Sequence, residues 1–274
     1  MSDSDFELSL SEAADGVGLI RFADRGRQNQ LCWAAVGSLA DALDQCVQRD
    51  LRVVVISSAA PGHWLEHAWL RDLQAALEGE ATTGDGLGWF RAINGLSRPP
   101  LVSIAAINGN TCGGGCELGW ACDLRVAERQ ALFAQPEIHI GITPGVGGIS
   151  RLNTLVGRGL ASEMAFSGHW VTAERLYHAG AINRLVEEGG AEREALAWAQ
   201  QLAAQPVEAL RLCKQTMADC QELPLQEALQ REQQTFQQSA QPALDMIRAQ
   251  QARYDAGATT AELFKTPEGA PARS

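Results

Sequence analysis

Two short segments, "RVVVIS" at 52–57 and "LVSIAAI" at 101–107, are apolar at almost every position. A strand with one face in water alternates polar and apolar side chains, whereas a near-continuous run implies cover on both faces. Such strands belong to sheets with helices on either side, so two of them predict an α/β core. "GVGLIRF" (16–22) and "DLRVAE" (123–128) read as further strands. Between the first two strands Val36, Leu39, Leu43 and Val47 recur at helical spacing, which predicts a helix from about 31 to 48. Pro99-Pro100 marks the entry to the strand at 101–107. Residues 79–88, with four glycines, read as a polar, flexible connection.

After residue 190 the alternation stops. "AEREALAWAQQLAA", "PVEALRLCKQTMADC", "PLQEALQREQQTFQQ" and "PALDMIRAQQARY" are four helical runs, three of them opened by a proline near the first turn. The expected organisation is an α/β core over 1–190, a helical region over 191–260 and a Gly/Ala/Pro/Thr-rich tail over 261–274. A chain of 274 residues can bury a full-sized core. Its formal net charge of −11 argues against nucleic acid or an anionic membrane as a bulk partner. No segment approaches the roughly 18 uninterrupted apolar residues of a membrane span. The acidic opening "MSDSDFELSLSEAADGVG" predicts neither a signal nor a transit peptide. Seven cysteines set inside apolar segments, with no disulfide-like framework, predict a reducing, cytoplasmic setting.

The densest chemical signal lies in 108–148. Gly113, Gly114 and Gly115 open a helix expected to begin near Cys116. Missing side chains let a ligand approach the backbone, and the free N–H groups of a helix start favour negative charge. Glu117 stands one turn in, and Glu137 follows a proline twenty residues later, before the glycine-dense "GITPGVGG". Two carboxylates beside an anion-stabilising backbone suit proton transfer next to a carbonyl. A rival pattern precedes them: "HWLEH" (63–67) fits the H-x-x-E-H spacing of a class of zinc peptidases.

"NGNTCGGGCELGWACD" (108–123), "FAQPEIHIGITPGVGGISRL" (133–152) and "VGRGLASEMAFSGHWVTAERLYHAGAINRLV" (156–186) together resemble the enoyl-CoA hydratase/isomerase, or crotonase, superfamily. The resemblance covers roughly residues 16–190, and the C-terminal helices only loosely. It implies a spiral of ββα units with a helical C-terminal region, and an acyl-CoA thioester as substrate. Coenzyme A is then part of the substrate, with no separate cofactor and no metal. A homotrimer or dimer of trimers is the implied assembly.

By the same resemblance, Gly114 and Ala68 supply the two N–H groups of an oxyanion hole for the thioester oxygen. Glu117 and Glu137 match the two acidic positions of the hydratases, Glu117 as base toward water and Glu137 as proton donor to Cα. Hydration of a trans-2-enoyl-CoA is the implied reaction. Isomerisation, decarboxylation, C–C cleavage or catalytically weak acyl-CoA binding are the alternatives. Arg25 and Arg27 resemble basic residues near the nucleotide, and Arg71 stands where the family often has lysine. The oxyanion loop usually reads F-x-A-G-A-D-L-K, whereas here it is "WLEHAWLR" (64–71). Glu66, His67 and Trp69 therefore replace alanine, glycine and aspartate, and His67, Trp69, Leu70 and Arg71 are expected to line the acyl-CoA pocket. "HWLEH" falls at the lip of that pocket, and Pro61-Gly62 before it suits a turn better than a zinc-binding helix. Cys112, Cys116 and Cys122 lack a zinc spacing and read as small buried residues.

Overall fold

The computed structural model describes residues 6–24 and 26–263. Among these, a six-stranded sheet runs β1 (Leu8–Ala14), β2 (Val17–Phe22), β3 (Val53–Ser58), β4 (Val102–Ile107), β6 (Leu124–Glu128), β9 (Arg184–Val186). A second sheet orders β5 (Thr111–Cys112), β7 (Leu132–Ala134) and β8 (Val171–Thr172). In the larger sheet β1 pairs antiparallel with β2, and every other pairing is parallel. The helices are α1 (Trp33–Gln48), α2 (Leu70–Glu78), α3 (Leu87–Ser97), α4 (Gly114–Ala121), α5 (Ser150–Ser167), α6 (Ala173–His178), α7 (Ala191–Ala203), α8 (Val207–Cys220), α9 (Leu225–Ala240) and α10 (Leu244–Asp255), before a last short turn of helix. The expected strand–strand–helix units recur as β1-β2-α1 and β4-β5-α4, and β6-β7 leads through a 3-10 helix (Pro136–Ile140) to α5. After β3 single bridges, His63 to Asn110 and Leu31 to Ala68, stand where a second strand would be.

The continuous apolar runs are explained by two cores. Val54 and Ile56 of β3, with Ala105 and Ile107 of β4, face Leu39, Leu43, Ile93 and Leu96 from α1 and α3. Val53, Val55, Ile104 and Ala106 point the other way, onto Ala191, Ala195, Ala199 and Ala203 of α7. Successive strand residues alternate faces, so a sheet covered on both sides needs an apolar residue at each position. Alanine at every fourth residue gives α7 a flat stripe that lies close against the strands.

The helical region thus begins by completing the sheet. The compact units divide later than the change in sequence pattern, into 1–218 and 219–274. In the second unit the side chain of Arg231 pairs with Asp219. β1, not anticipated from the sequence, is an edge strand with few inward residues. No helix among the described residues is long and apolar enough to cross a membrane.

One buried cation locks the end of α3 to the start of β4. Lys214 Nζ donates to Leu96 O at 2.7 Å, Leu101 O at 2.5 Å and Asp123 Oδ2 at 2.7 Å. The same Asp123 oxygen accepts from Ser103 N at 2.7 Å. Lys214→Met would take the cation from Asp123 and a donor from Leu96 O and Leu101 O, so urea unfolding is expected to show a loss of about 3 kcal/mol.

Candidate active site

The carboxyl ends of the adjacent parallel strands β3 and β4 feed the two segments that meet at the site, a position where open α/β sheets commonly bind ligands. From β4 the chain passes through β5 to Gly113, whose φ of 51° lies in the left-handed region that favours glycine. Its N–H donates to Ala134 O at 2.9 Å, and its carbonyl accepts from Glu117 N at 3.0 Å, which starts α4. The helix therefore begins at Gly114, two residues before Cys116, and the Gly114 N–H is one of the first-turn donors that no helical carbonyl can satisfy.

From β3 the chain runs through 59–69 without forming a helix. It is stitched to the β4–α4 segment by Trp64 N to Asn110 O at 2.9 Å and by Thr111 Oγ1 to Leu65 O at 2.6 Å. A Cβ on Gly115 would collide with that Leu65 carbonyl, so the close approach requires glycine. On the opposite side Leu31 N donates to His67 O at 3.0 Å and Trp69 N donates to Leu31 O at 2.9 Å. This parallel bridge uses the groups flanking Ala68 and turns the Ala68 N–H away from Leu31. A Cβ built on Gly114 would stand 3.4 Å from Ala68 N and would strike the Trp89 ring. The two expected donors are therefore neighbours, above an indole floor that sequence reasoning missed.

Glu117 is 4% exposed, and its Oε1 accepts from Val146 N at 2.8 Å and Gly148 N at 2.9 Å. Burial raises its pKa, and these backbone donors oppose the rise. Glu137, half-buried on the 3-10 helix, has its pKa pushed up to about 7, first by burial and further by the charge of Glu117. Its Oε1 lies 3.3 Å from where a Cβ on Gly113 would stand. Gln135 Nε2 donates toward its two oxygens at 3.2 and 3.4 Å, while Gln135 Oε1 accepts from Trp120 Nε1 at 3.2 Å. Gln135 was visible in the motif as the residue before Pro136, but nothing in the sequence tied it to the Glu137 carboxylate.

His67 stands over the glycines, its Cβ 3.1 Å from the Gly113 Cβ position. Its Nδ1 is 2.8 Å from Ala68 O; a carbonyl only accepts, so Nδ1 carries the proton. His63 turns elsewhere, donating from Nδ1 to Glu66 Oε1 at 2.7 Å. The two histidines of "HWLEH" thus occupy a bent, non-helical segment and serve different partners. Glu66 Oε2 accepts from Cys112 Sγ at 2.9 Å, a contact that sequence reasoning did not find. Cys116 bonds Thr111 O at 3.3 Å, and Cys112, Cys116 and Cys122 are free and buried.

At the rim, the guanidinium carbons of Arg27 and Arg71 lie 5.1 and 5.8 Å from the Trp69 ring centroid, within cation–π range. Arg27 Nε also donates to Asp24 Oδ2 at 2.7 Å. Leu70 opens α2 beside them and is exposed. Arg25 lies outside the described residues. Asp72, buried, accepts from Trp33 N at 2.7 Å, Thr83 N at 2.7 Å and Thr83 Oγ1 at 2.6 Å, so the glycine-rich 79–88 connection is pinned near its middle. Asn29 similarly joins the turn before α1 to the end of β3 and the loop after it, through Ser58 Oγ at 2.7 Å and Trp64 O at 2.6 Å.

The arrangement sets two backbone amides beside two carboxylates of raised pKa, with Arg27 and Arg71 gathered on Trp69. Residues 12–248 match the family model described as enoyl-CoA hydratase/isomerase. The short-chain-enoyl-CoA hydratase of Clostridium acetobutylicum is 36% identical over 147 residues, about half of each protein (54% of this chain and 55% of the relative). The mitochondrial enoyl-CoA hydratase of Pongo abelii is 28% identical over 86% of this chain and 81% of its own. A crystal structure of the enoyl-CoA hydratase from Bacillus anthracis superposes with a TM-score of 0.78 at 27% identity, covering 91% of this chain and 96% of that one. The fold and this match over most of the chain agree: it belongs to the enoyl-CoA hydratase/isomerase family, the crotonase superfamily.

Proposed function

We propose that the chain is an enoyl-CoA hydratase, adding water across the 2,3 double bond of a trans-2-enoyl-CoA. The observation that carries the reading is Glu137 standing beside Gly113, within electrostatic reach of Glu117 and next to the paired Ala68 and Gly114 backbone. The thioester oxygen accepts hydrogen bonds from the two N–H groups, which act most strongly as enolate charge develops. Glu117 takes a proton from water as its oxygen bonds to Cβ. The π electrons pass through the enolate, and Glu137 delivers a proton to Cα. Transfer of one proton from Glu117 to Glu137 restores the starting state, and electrostatic coupling between the two carboxyls suits that exchange.

Arg27, Trp69 and Arg71 form the proposed rim for the anionic and adenine parts of coenzyme A, and Arg25, outside the described residues, is proposed to bind it from its sequence position. His67 and Leu70 face the acyl-bearing arm. Local arginines reconcile a polyanionic substrate with a chain of net charge −11. Coenzyme A arrives as part of the substrate, and no separate cofactor or metal is invoked. Free cysteines support a reducing, cytoplasmic setting. Leu225, Leu229 and Phe236 are exposed along one stripe of α9, which supports burial against another copy of the chain; a homotrimer or dimer of trimers is the assembly proposed. A second reading, an altered crotonase-type reaction or a weak acyl-CoA binder, draws on His67 standing over the glycine floor.

Loss of the enoyl-thioester absorbance of crotonyl-CoA tests the reading. The wild type is expected to consume it with chelator present, and Glu117→Gln or Glu137→Gln to slow it by about 10²-fold or more. Persistence of crotonyl-CoA with the wild type would sink hydration in favour of the second reading.

Glu137 must carry its proton to act as donor, so kcat/KM for hydration is expected to fall as pH rises through about 7. A flat profile from pH 6 to 9 would remove Glu137 from that role.

The same carboxyl binds its proton more tightly folded than unfolded, so stability is lost as pH rises from about 4.5 to about 7. Glu137→Gln, which escapes that cost, is expected to melt above the wild type at pH 8. The gap should close toward pH 4, as scanning calorimetry would show.

A further inference from the structure

We propose that Glu66 is a positioning residue for the oxyanion hole, holding the Ala68 N–H in register with Gly114 through its bond to Cys112. The inference rests on the acyl-CoA reading of the site. The two donors come from different segments, one following β3 and the other following β4. A functional pair of this kind must keep its spacing to within about half an ångström.

The bonds that join the two segments are unevenly placed. Asn110 N to Gly62 O (2.8 Å), Trp64 N to Asn110 O (2.9 Å) and Thr111 Oγ1 to Leu65 O (2.6 Å) all attach the loop at or before Leu65. Beyond Leu65, the backbone bonds of the loop run to the other side, to Asn29 O from Glu66 N and to Leu31 from His67 and Trp69. Cys112 Sγ carries the connection past Leu65, through its bond to Glu66 Oε2 at 2.9 Å and a contact with the His67 backbone N–H. Glu66 stands two residues before Ala68, and Cys112 two residues before Gly114. The link therefore sits the same short distance behind both donors.

The energetics favour a dedicated role. Glu66 is 8% exposed, and burying a carboxylate costs free energy that an alanine would avoid. Its charge also opposes an oxyanion in the neighbourhood. Both oxygens are engaged, Oε2 by the thiol and Oε1 by His63 Nδ1 at 2.7 Å, with the His63 side chain reaching solvent at 26% exposure. The imidazole draws the negative charge toward water while the thiol holds the carboxylate against β5. The pair Glu66–Cys112 thus restrains the backbone without adding a group that touches substrate.

The test compares Glu66→Ala, Glu66→Gln, Cys112→Ala and Cys112→Ser with the wild type. Two readouts are used: crotonyl-CoA turnover, and the enolate absorbance of bound acetoacetyl-CoA, which reports polarisation of a thioester carbonyl without hydration. Both alanine variants are expected to lose about 10-fold or more in kcat with KM changed less than about threefold, and to weaken the enolate band. Glu66→Gln retains an acceptor for the thiol and Cys112→Ser retains a donor, so both are expected within about threefold of wild type. Should Glu66→Ala fail to fold, Glu66→Leu, similar in size and without an acceptor, takes its place, because Cys112 also touches the His67 N–H. Alanine variants that keep wild-type kcat and enolate band, even with a lowered melting temperature, overturn the inference and leave the hydratase reading standing. A wild type that polarises acetoacetyl-CoA but leaves crotonyl-CoA intact, with the band lost in the alanine variants, overturns the hydratase reading and leaves the positioning role standing.

Discussion

Everything at the site depends on how closely the start of α4 can approach the loop that follows β3. Gly113, Gly114 and Gly115 remove the side chains that would keep the two apart: a Cβ at 115 would strike Leu65 O, and one at 114 would strike Trp89. That proximity brings a helix N-terminus and a loop amide to the same point. Neither is a side chain, so the proposed anion site is built from backbone that the sheet holds in place. The parallel strands β3 and β4, buried on both faces, are the rigid base from which both segments spring.

The two carboxylates lie near that backbone, and burial sets their character. Glu117 sits deep and is held by two backbone N–H groups, while Glu137 is half-buried and carries a pKa near neutrality. Two like groups with different surroundings can take opposite roles in one proton inventory. Gln135 and Trp120 hold the second carboxylate from behind, so its orientation is fixed by a chain of hydrogen bonds that begins in the core.

The parts of this design with a strong local signal were legible in the sequence. β3 and β4 declared themselves by uninterrupted apolar runs, α1 and α7–α10 by periodicity, and the glycine–carboxylate constellation by its residue types. β1 was hidden because an exposed edge strand needs few apolar residues. β5, β7 and β8, two or three residues each, are too short to show a period. Cys112 and Glu66 lie 46 residues apart and meet only because β5 and the loop after β3 run side by side. Composition had suggested for Cys112 nothing more than a small buried residue. The Trp69 cluster was half visible: Arg27 was expected near the nucleotide and Arg71 along the acyl-CoA pocket, but their meeting on one indole requires the turn that precedes α2.

The alanine stripe of α7 divides the labour of the large sheet. Ala191, Ala195, Ala199 and Ala203 leave room for methyl groups and little else between that helix and β3, β4 and β6. One side of the sheet is therefore a sealed laminate, whose tolerances are set by thickness alone. The loops that carry the chemistry leave the strand ends instead. Sequence change along the stripe acts on the whole molecule's cohesion, whereas change in the loops acts on what the molecule recognises. The two kinds of variation can accumulate on independent schedules.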